Sequence, residues 1–280
     1  MGVKFDQLLN QVQEIHDLEK TSWLLSWDRE VNLSSAGAEI RAKQMGTVNK
    51  LVHRLSTSDE MGELIENATL EIEAEGLAED STPHTLVRLL ARDFAENKSI
   101  PEDFIRRRVE AQGKAMQIWK KAREEGDFAP FAPCLATTIE LCQELADYKG
   151  YEDEKYDALL APFERGMKTA DVRRVFDAVK AETVPLIEAI TERQTLVDDS
   201  ILHQAYSVDL QKQVVPYFAS AVGYDFERGS DIGTAAHPFA SSTSRFDARI
   251  TTRWYHNFIS PSLFGTMHES GHAMYEQGTG

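Results

Sequence analysis

A chain of 280 residues that is 42% hydrophobic has room for one large or two moderate domains around a substantial core. Thirty basic against 46 acidic residues leave a formal charge of −16, which opposes nonspecific attachment to nucleic acid or to an anionic membrane, so neither is expected as a partner. No apolar run reaches the ~20 residues that span a bilayer. The opening MGVKFDQLLNQVQEI reads as an amphipathic helix rather than a signal peptide, and Asp6 stands where N-myristoylation needs Ser or Thr, which points to the cytoplasm.

From the first residues onward, helix-period patterns follow one another at about 3–26, 36–56, 59–76, 82–97, 101–125 and 130–149, separated by short polar breaks. Pro101 after Ser99 marks one helix start, and Thr169 marks another ahead of VRRVFDAVKAETVPLIEAITERQ, where Pro185 predicts a kink. Trp23, Trp27, Trp119 and Phe176 recur at helical positions and are read as core packing. Cys134 and Cys142, eight apart in a helical stretch, lie about 12 Å apart along the axis, too far for a disulfide. They are read as buried thiols.

Between Gly223 and Asn257 the composition shifts to Gly, Ser and Thr, and a period-two run appears: Phe246, Ala248, Ile250 and Thr252 alternate with Asp247, Arg249, Thr251 and Arg253. This predicts a short strand or hairpin, a backbone edge on which a peptide can add as another strand. Arg249 and Arg253 fall on one face of it. There Arg249 can either meet a substrate carboxylate with two hydrogen bonds or pair with Asp247 to stiffen the strand.

The next helix is predicted over 261–277, with Ser260 as its cap, Pro261 at the first position and Gly278 as its stop. It carries His268, Glu269 and His272. Residues four apart share a helix face, so the two imidazoles can reach one metal ion, while Glu269 beside them can take a proton from water without ligating. A catalytic zinc usually has three protein ligands. Glu276 is a further turn along the same stripe, too far for easy convergence, and nothing in the spacing of His237, Asp247 or His256 singles one of them out. A third ligand is therefore expected to be missing, and the chain is read as truncated after this helix.

Taken in order, His237-Pro238-Phe239, Asp247-Ala248-Arg249-Ile250-Thr251 and His268-Glu269-Ser270-Gly271-His272 resemble the HPF, DxRxT and HExxH motifs of the Taq-type (thermostable) metallocarboxypeptidases. The stretch Trp23 to Asp28 with Arg41 and Gln44, the surroundings of Trp119, and Tyr156 to Leu160 are similar to the same family, whereas Gly229 to Ala236 fits it only loosely. The resemblance implies a mainly α, multi-helix zincin-like carboxypeptidase fold with a short strand or hairpin before the HExxH helix. It implies one region over 1–280: helical to 222, strand-bearing over 223–257, then the catalytic helix. It further implies His268 and His272 as metal ligands, Glu269 as general base, and His237, Asp247 and Arg249 lining or supporting the cleft. Zinc is the implied metal, with cobalt or manganese as other candidates, and the third ligand is a glutamate further downstream. The implied activity is removal of C-terminal amino acids from peptides, by a homodimer when full length. Two other readings are a different HExxH peptidase, acting internally or from the N-terminus, and a non-catalytic helical fragment.

Overall fold

The computed structural model describes residues 2–279, apart from the side chains of Ser35, Gln117 and Lys120. The chain is helical through α1 (Val3–Val31), α2 (Ala38–Ser56), α3 (Asp59–Ala74), α4 (Thr82–Lys98), α5 (Glu102–Glu125), α6 (Ala132–Lys149), α7 (Lys155–Leu160), α8 (Thr169–Thr191) and α9 (Val208–Val222). Three strands follow, β1 (Gly233–Thr234), β2 (Ala240–Ser244) and β3 (Asp247–Thr252), and then α10 (Ser260–Gly278). The contacts form two compact units, one of residues 1–71 with 195–280 and the other of residues 72–194.

In the second unit, Phe104, Leu141 and Leu145 form a core to which Ile100, Tyr148 and Leu159 add. Asp157 is the polar anchor of this unit. It accepts from the backbone N–H of Thr169 at 2.7 Å and from the Thr169 hydroxyl, and it closes a capping box with Glu154 at the start of α7. The Thr169 hydroxyl and amide hold its carboxyl below the usual carboxylate range. One side chain thus fixes the start of two helices, which accounts for the stretch Tyr156 to Leu160 in structural terms.

In the first unit, β3 is the central strand, paired parallel with β1 and antiparallel with β2. Alternation along a strand gives the sheet two faces. Ala248 and Ile250 turn to one side and join Ala219 of α9, Tyr224 and Ala273 of α10 in a buried cluster. Asp247 and Arg249 turn to the other side, where the Arg249 guanidinium lies 4.7 Å from the centre of the Trp27 ring of α1. The sheet is therefore held between α1 and the α9–α10 pair. The residues Trp23 to Asp28 with Arg41 and Gln44 serve the α1–α2 contact. Arg41 pairs with Asp28, donates to Leu25 O at 3.2 Å and donates to Gln44 at 3.3 Å.

Buried polar groups tie this unit together. Gln211 of α9 donates to Tyr206 O (2.9 Å) and Tyr255 O (2.8 Å) and accepts from the Ser262 hydroxyl (2.6 Å). Gln277 near the end of α10 accepts from Asp225 N (3.2 Å) and donates to Asp225 O (2.8 Å). The Tyr224 hydroxyl donates to Ala248 O at 2.8 Å, passing so close to Gly229 that a Cβ there would stand 2.0 Å from the phenol oxygen. That close approach demands glycine at the start of the loosely matching Gly229 to Ala236 segment.

Several expectations are corrected. Ser260 is the first residue of α10 and not its cap, Ile259 being the cap, and Gly278 lies within the helix. Thr169, by contrast, opens α8 as expected, with Lys168 at the cap. Trp23 is 48% exposed and Phe176 is 66% exposed, so neither is core. Cys134 and Cys142 are free thiols that are only partly buried. The helix α8 continues through Pro185.

Gln211→Ala is expected to destabilise the protein by about 2 kcal/mol, because it removes three buried hydrogen bonds, to Tyr206 O, Tyr255 O and the Ser262 hydroxyl; denaturant unfolding at constant m-value measures this. Asp247 supplies a pH-dependent counterpart. Burial pushes its carboxyl up, but hydrogen bonds from Arg249 (2.6 and 2.9 Å) and Thr243 (2.8 Å), with the Arg249 charge, bring it below its ordinary value. A lowered folded-state value means stability that is present above the unfolded value, about pH 4, and lost as the pH falls through the folded one. Asp247→Asn is therefore expected to be less stable than the native chain at pH 7, with the difference closing below about pH 4; thermal unfolding across that range reads it.

Candidate active site

The side chains of α10 divide by helix position. Ser262, Thr266, Ser270, Ala273 and Gln277 are buried, recurring at helical spacing along one face, and the first four are small enough to let the backbone lie close to β3 and α9. The serine hydroxyls are absorbed locally, as Ser270 donates to Thr266 O at 2.8 Å and Ser262 to Ile259 O at 3.0 Å, while the buried Thr266 hydroxyl has no partner. With that face sealed, His268 and His272 emerge on the exposed side. Glu269, about 100° round the helix from His268, lies at the boundary and is 7% exposed.

These three residues line a cleft of about 500 Å³ together with Trp23, His237, Phe239, Ala240, Ser241, Ser242, Tyr275 and Glu276. The imidazole Nε2 atoms of His268 and His272 face each other at 3.2 Å. Two nitrogens bound at 2.0–2.1 Å to one tetrahedral ion lie about 3.3 Å apart, so the pair already has the separation of two ligands to one metal. Glu269 is 7% exposed, makes no hydrogen bond to the described residues, and opens on the cleft, so its lone pairs are left for whatever enters there.

No third ligand joins them. Among the described residues no three His, Cys, Asp or Glu side chains gather where they could hold an ion. His237 lines the cleft but turns its Nδ1 to Pro238 O at 2.7 Å, so that nitrogen carries the proton and donates. Asp247 and Arg249 bind each other and do not reach the cleft lining, which Ala248 between them does. They support the wall from behind, and the Arg249 charge is neutralised in place. His256 points its Nδ1 toward Tyr206 O at 3.3 Å. Arg253, placed by the alternation on the face of Arg249, lies just beyond the end of β3, with its guanidinium 6.0 Å from the Tyr255 ring centre. Trp23 was not legible as a cleft residue, because an aromatic at helical spacing looks the same whether its face meets a core or a groove. Ser241 and Ser242 were legible only as strand residues.

The β2 edge completes the cleft. Thr251 N donates to Phe239 O at 3.0 Å, and Ser241 stands opposite Arg249. Main-chain groups alternate in direction along a strand, so those of Ala240 and Ser242 turn away from β3. Ser242 O accordingly accepts from Lys20 of α1 at 3.2 Å.

The chain is 35% identical to carboxypeptidase 1 of Bacillus subtilis over 254 residues, which cover 91% of this chain and 50% of that protein. It is 32% identical to thermostable carboxypeptidase 1 of Thermus thermophilus, over 98% of this chain and 55% of that one. Its fold matches the BsuCP crystal structure with a TM-score of 0.89 at 32% identity, covering 99% of this chain and 55% of that one. The Pyrococcus furiosus carboxypeptidase structure is matched with a TM-score of 0.86 at 30% identity, covering 98% and 55%. The chain thus spans about half the length of the curated relatives it matches. With the carboxypeptidase Taq (M32) metallopeptidase profile matching residues 7–280, the chain belongs to that family.

Proposed function

We propose that this chain provides the metal-binding and proton-transfer part of a carboxypeptidase that releases C-terminal amino acids from peptides. The observation that carries the proposal is the pair of imidazoles whose Nε2 atoms stand 3.2 Å apart, with the Glu269 carboxylate beside them in the same cleft. His268 and His272 would hold a divalent ion, with zinc the first choice and cobalt or manganese the alternatives. The third ligand would come from the part of the relatives that this chain does not match. When bound, such an ion lowers the pKa of water and polarises a carbonyl.

The rest falls to the chain's own groups. The outward main-chain groups of Ala240 and the Ser242 N–H offer an edge on which an extended peptide can lie along the cleft. His237 and Phe239 bound its wall. Glu269 accepts the proton of the attacking water and returns it to the departing amine, and its burial keeps other proton donors away from it. The family resemblance extends the proposal to a cytoplasmic homodimer. Among the described residues no helix is long and apolar enough to cross a membrane.

A second reading, a peptide-binding fragment without turnover, is favoured by one observation only, the lack of a third ligand among the described residues.

In the metal-loaded protein, Glu269→Gln is expected to lower release of free amino acid from N-blocked peptides by about 10²-fold or more while leaving metal content unchanged. Peptides amidated at the C-terminus are expected to be poor substrates for the native chain. Hydrolysis that survives Glu269→Gln, or release from the N-terminus, would remove the carboxypeptidase reading. Metal and peptide binding with no hydrolysis in the native chain would establish the second.

A further inference from the structure

Among the described residues beside the cleft, Lys20 is a cation that the proposed chemistry does not use. Lys20 of α1 directs its ammonium to Ser242 O at 3.2 Å and stands over the Trp23 ring, 3.7 Å from its centre. Both residues that it touches line the cleft. Asp17, one turn back on the helix, forms no ion pair with it and accepts from Gln13 at 2.8 Å. Among the described residues Lys20 makes no ion pair, in a chain whose net charge is −16. The contrast with Arg249 is direct, since that guanidinium is occupied by Asp247 at 2.6 and 2.9 Å.

An ammonium has three donors. One of them reaches Ser242 O, and the ring face of Trp23 takes up part of the charge without removing it. The side chain is therefore held in one place, at the cleft end of the β2 edge, with donor capacity left over. Trp23 beside it is 48% exposed and presents a flat apolar surface to the same space. A held cation next to an apolar platform, at the end of an edge that can bind peptide main chain, is a site for a carboxylate carried on a peptide.

We propose that Lys20 and Trp23 form a carboxylate-binding subsite of the cleft, in which Lys20 takes an anionic group of the bound peptide and Trp23 packs against the residue that bears it. The group is either the C-terminal carboxylate or an acidic side chain. The subsite rests on the peptidase reading given above but is testable apart from turnover. It makes Lys20 a specificity-determining residue, with no part in proton transfer.

The test is peptide binding followed by tryptophan fluorescence on the whole 280-residue chain, with Trp23→Phe identifying the part of the signal that comes from the cleft. The probes are N-blocked tripeptides with a free C-terminus, their C-terminal amides, and Glu/Gln pairs at the preceding position. The native chain is expected to bind one carboxylate form about tenfold more tightly than its uncharged partner, less so at high salt. Lys20→Met is expected to lose that discrimination, and Lys20→Arg to retain most of it. Loss confined to the acid/amide pair assigns the C-terminal carboxylate, and loss confined to the Glu/Gln pair assigns a side chain; either supports the subsite. Discrimination unchanged in Lys20→Met overturns it, and so does an equal weakening of charged and uncharged peptides, which would make Lys20 only a brace for β2. Absence of any peptide-dependent signal in the native chain also overturns it. The peptidase reading fails separately, through hydrolysis that is indifferent to Glu269→Gln.

Discussion

Close packing of one face of α10 against β3 and α9 sets the position of every group in the site. The face is made of Ser262, Thr266, Ser270, Ala273 and Gln277, and the small members among them bring the helix backbone near Ala248 and Ile250 of the central strand. Because the residues of a helix are placed at about 100° intervals, burying this face decides the rest. His268 and His272 must face outward, and Glu269 must lie at the edge of the buried stripe. A larger side chain in the stripe would lift the helix and turn the histidines away from β2.

Polar ties keep this packing in register. Gln211 links α9 to the start of α10 through Ser262, and Gln277 links its end to the Asp225 loop. Tyr224 reaches from that loop to the carbonyl of Ala248. Each is a buried polar group whose partners are satisfied, so each resists sliding more than an apolar contact of equal area would. On the opposite face of the sheet, Asp247 and Arg249 hold the strand against Trp27. The cleft is thus a by-product of two sheet faces being covered by helices of different kinds, one small-sided and one aromatic.

Much of this could be read from the residues. The helix periods of the first half fall within a few residues of the observed elements, because each carries a broad apolar stripe between polar breaks. The alternation from Ala248 to Thr252 marked the central strand, and the spacing of His268 and His272 marked the helix face that lines the cleft. The cap was misread at Ser260 because the residue type that favours capping also serves at the first helical position. Thr169 does open α8, but the tie of its hydroxyl to Asp157, twelve residues away in sequence, was not legible. The roles of Gln211 and Gln277 were not legible, since their partners are main-chain groups from distant segments and carry no side-chain signature. Trp23 and Lys20 were hidden for a similar reason: their meaning depends on which element α1 crosses, and only the fold supplies β2 as that element.

The central claim is that His268 and His272 form a preset pair of ligands to a single ion. X-ray absorption at the zinc edge, on the chain loaded with one equivalent of zinc, counts the imidazoles bound to the metal. The account predicts two in the native chain and one in each of His268→Ala and His272→Ala. A spectrum unchanged by either substitution would put the ion elsewhere and contradict the account.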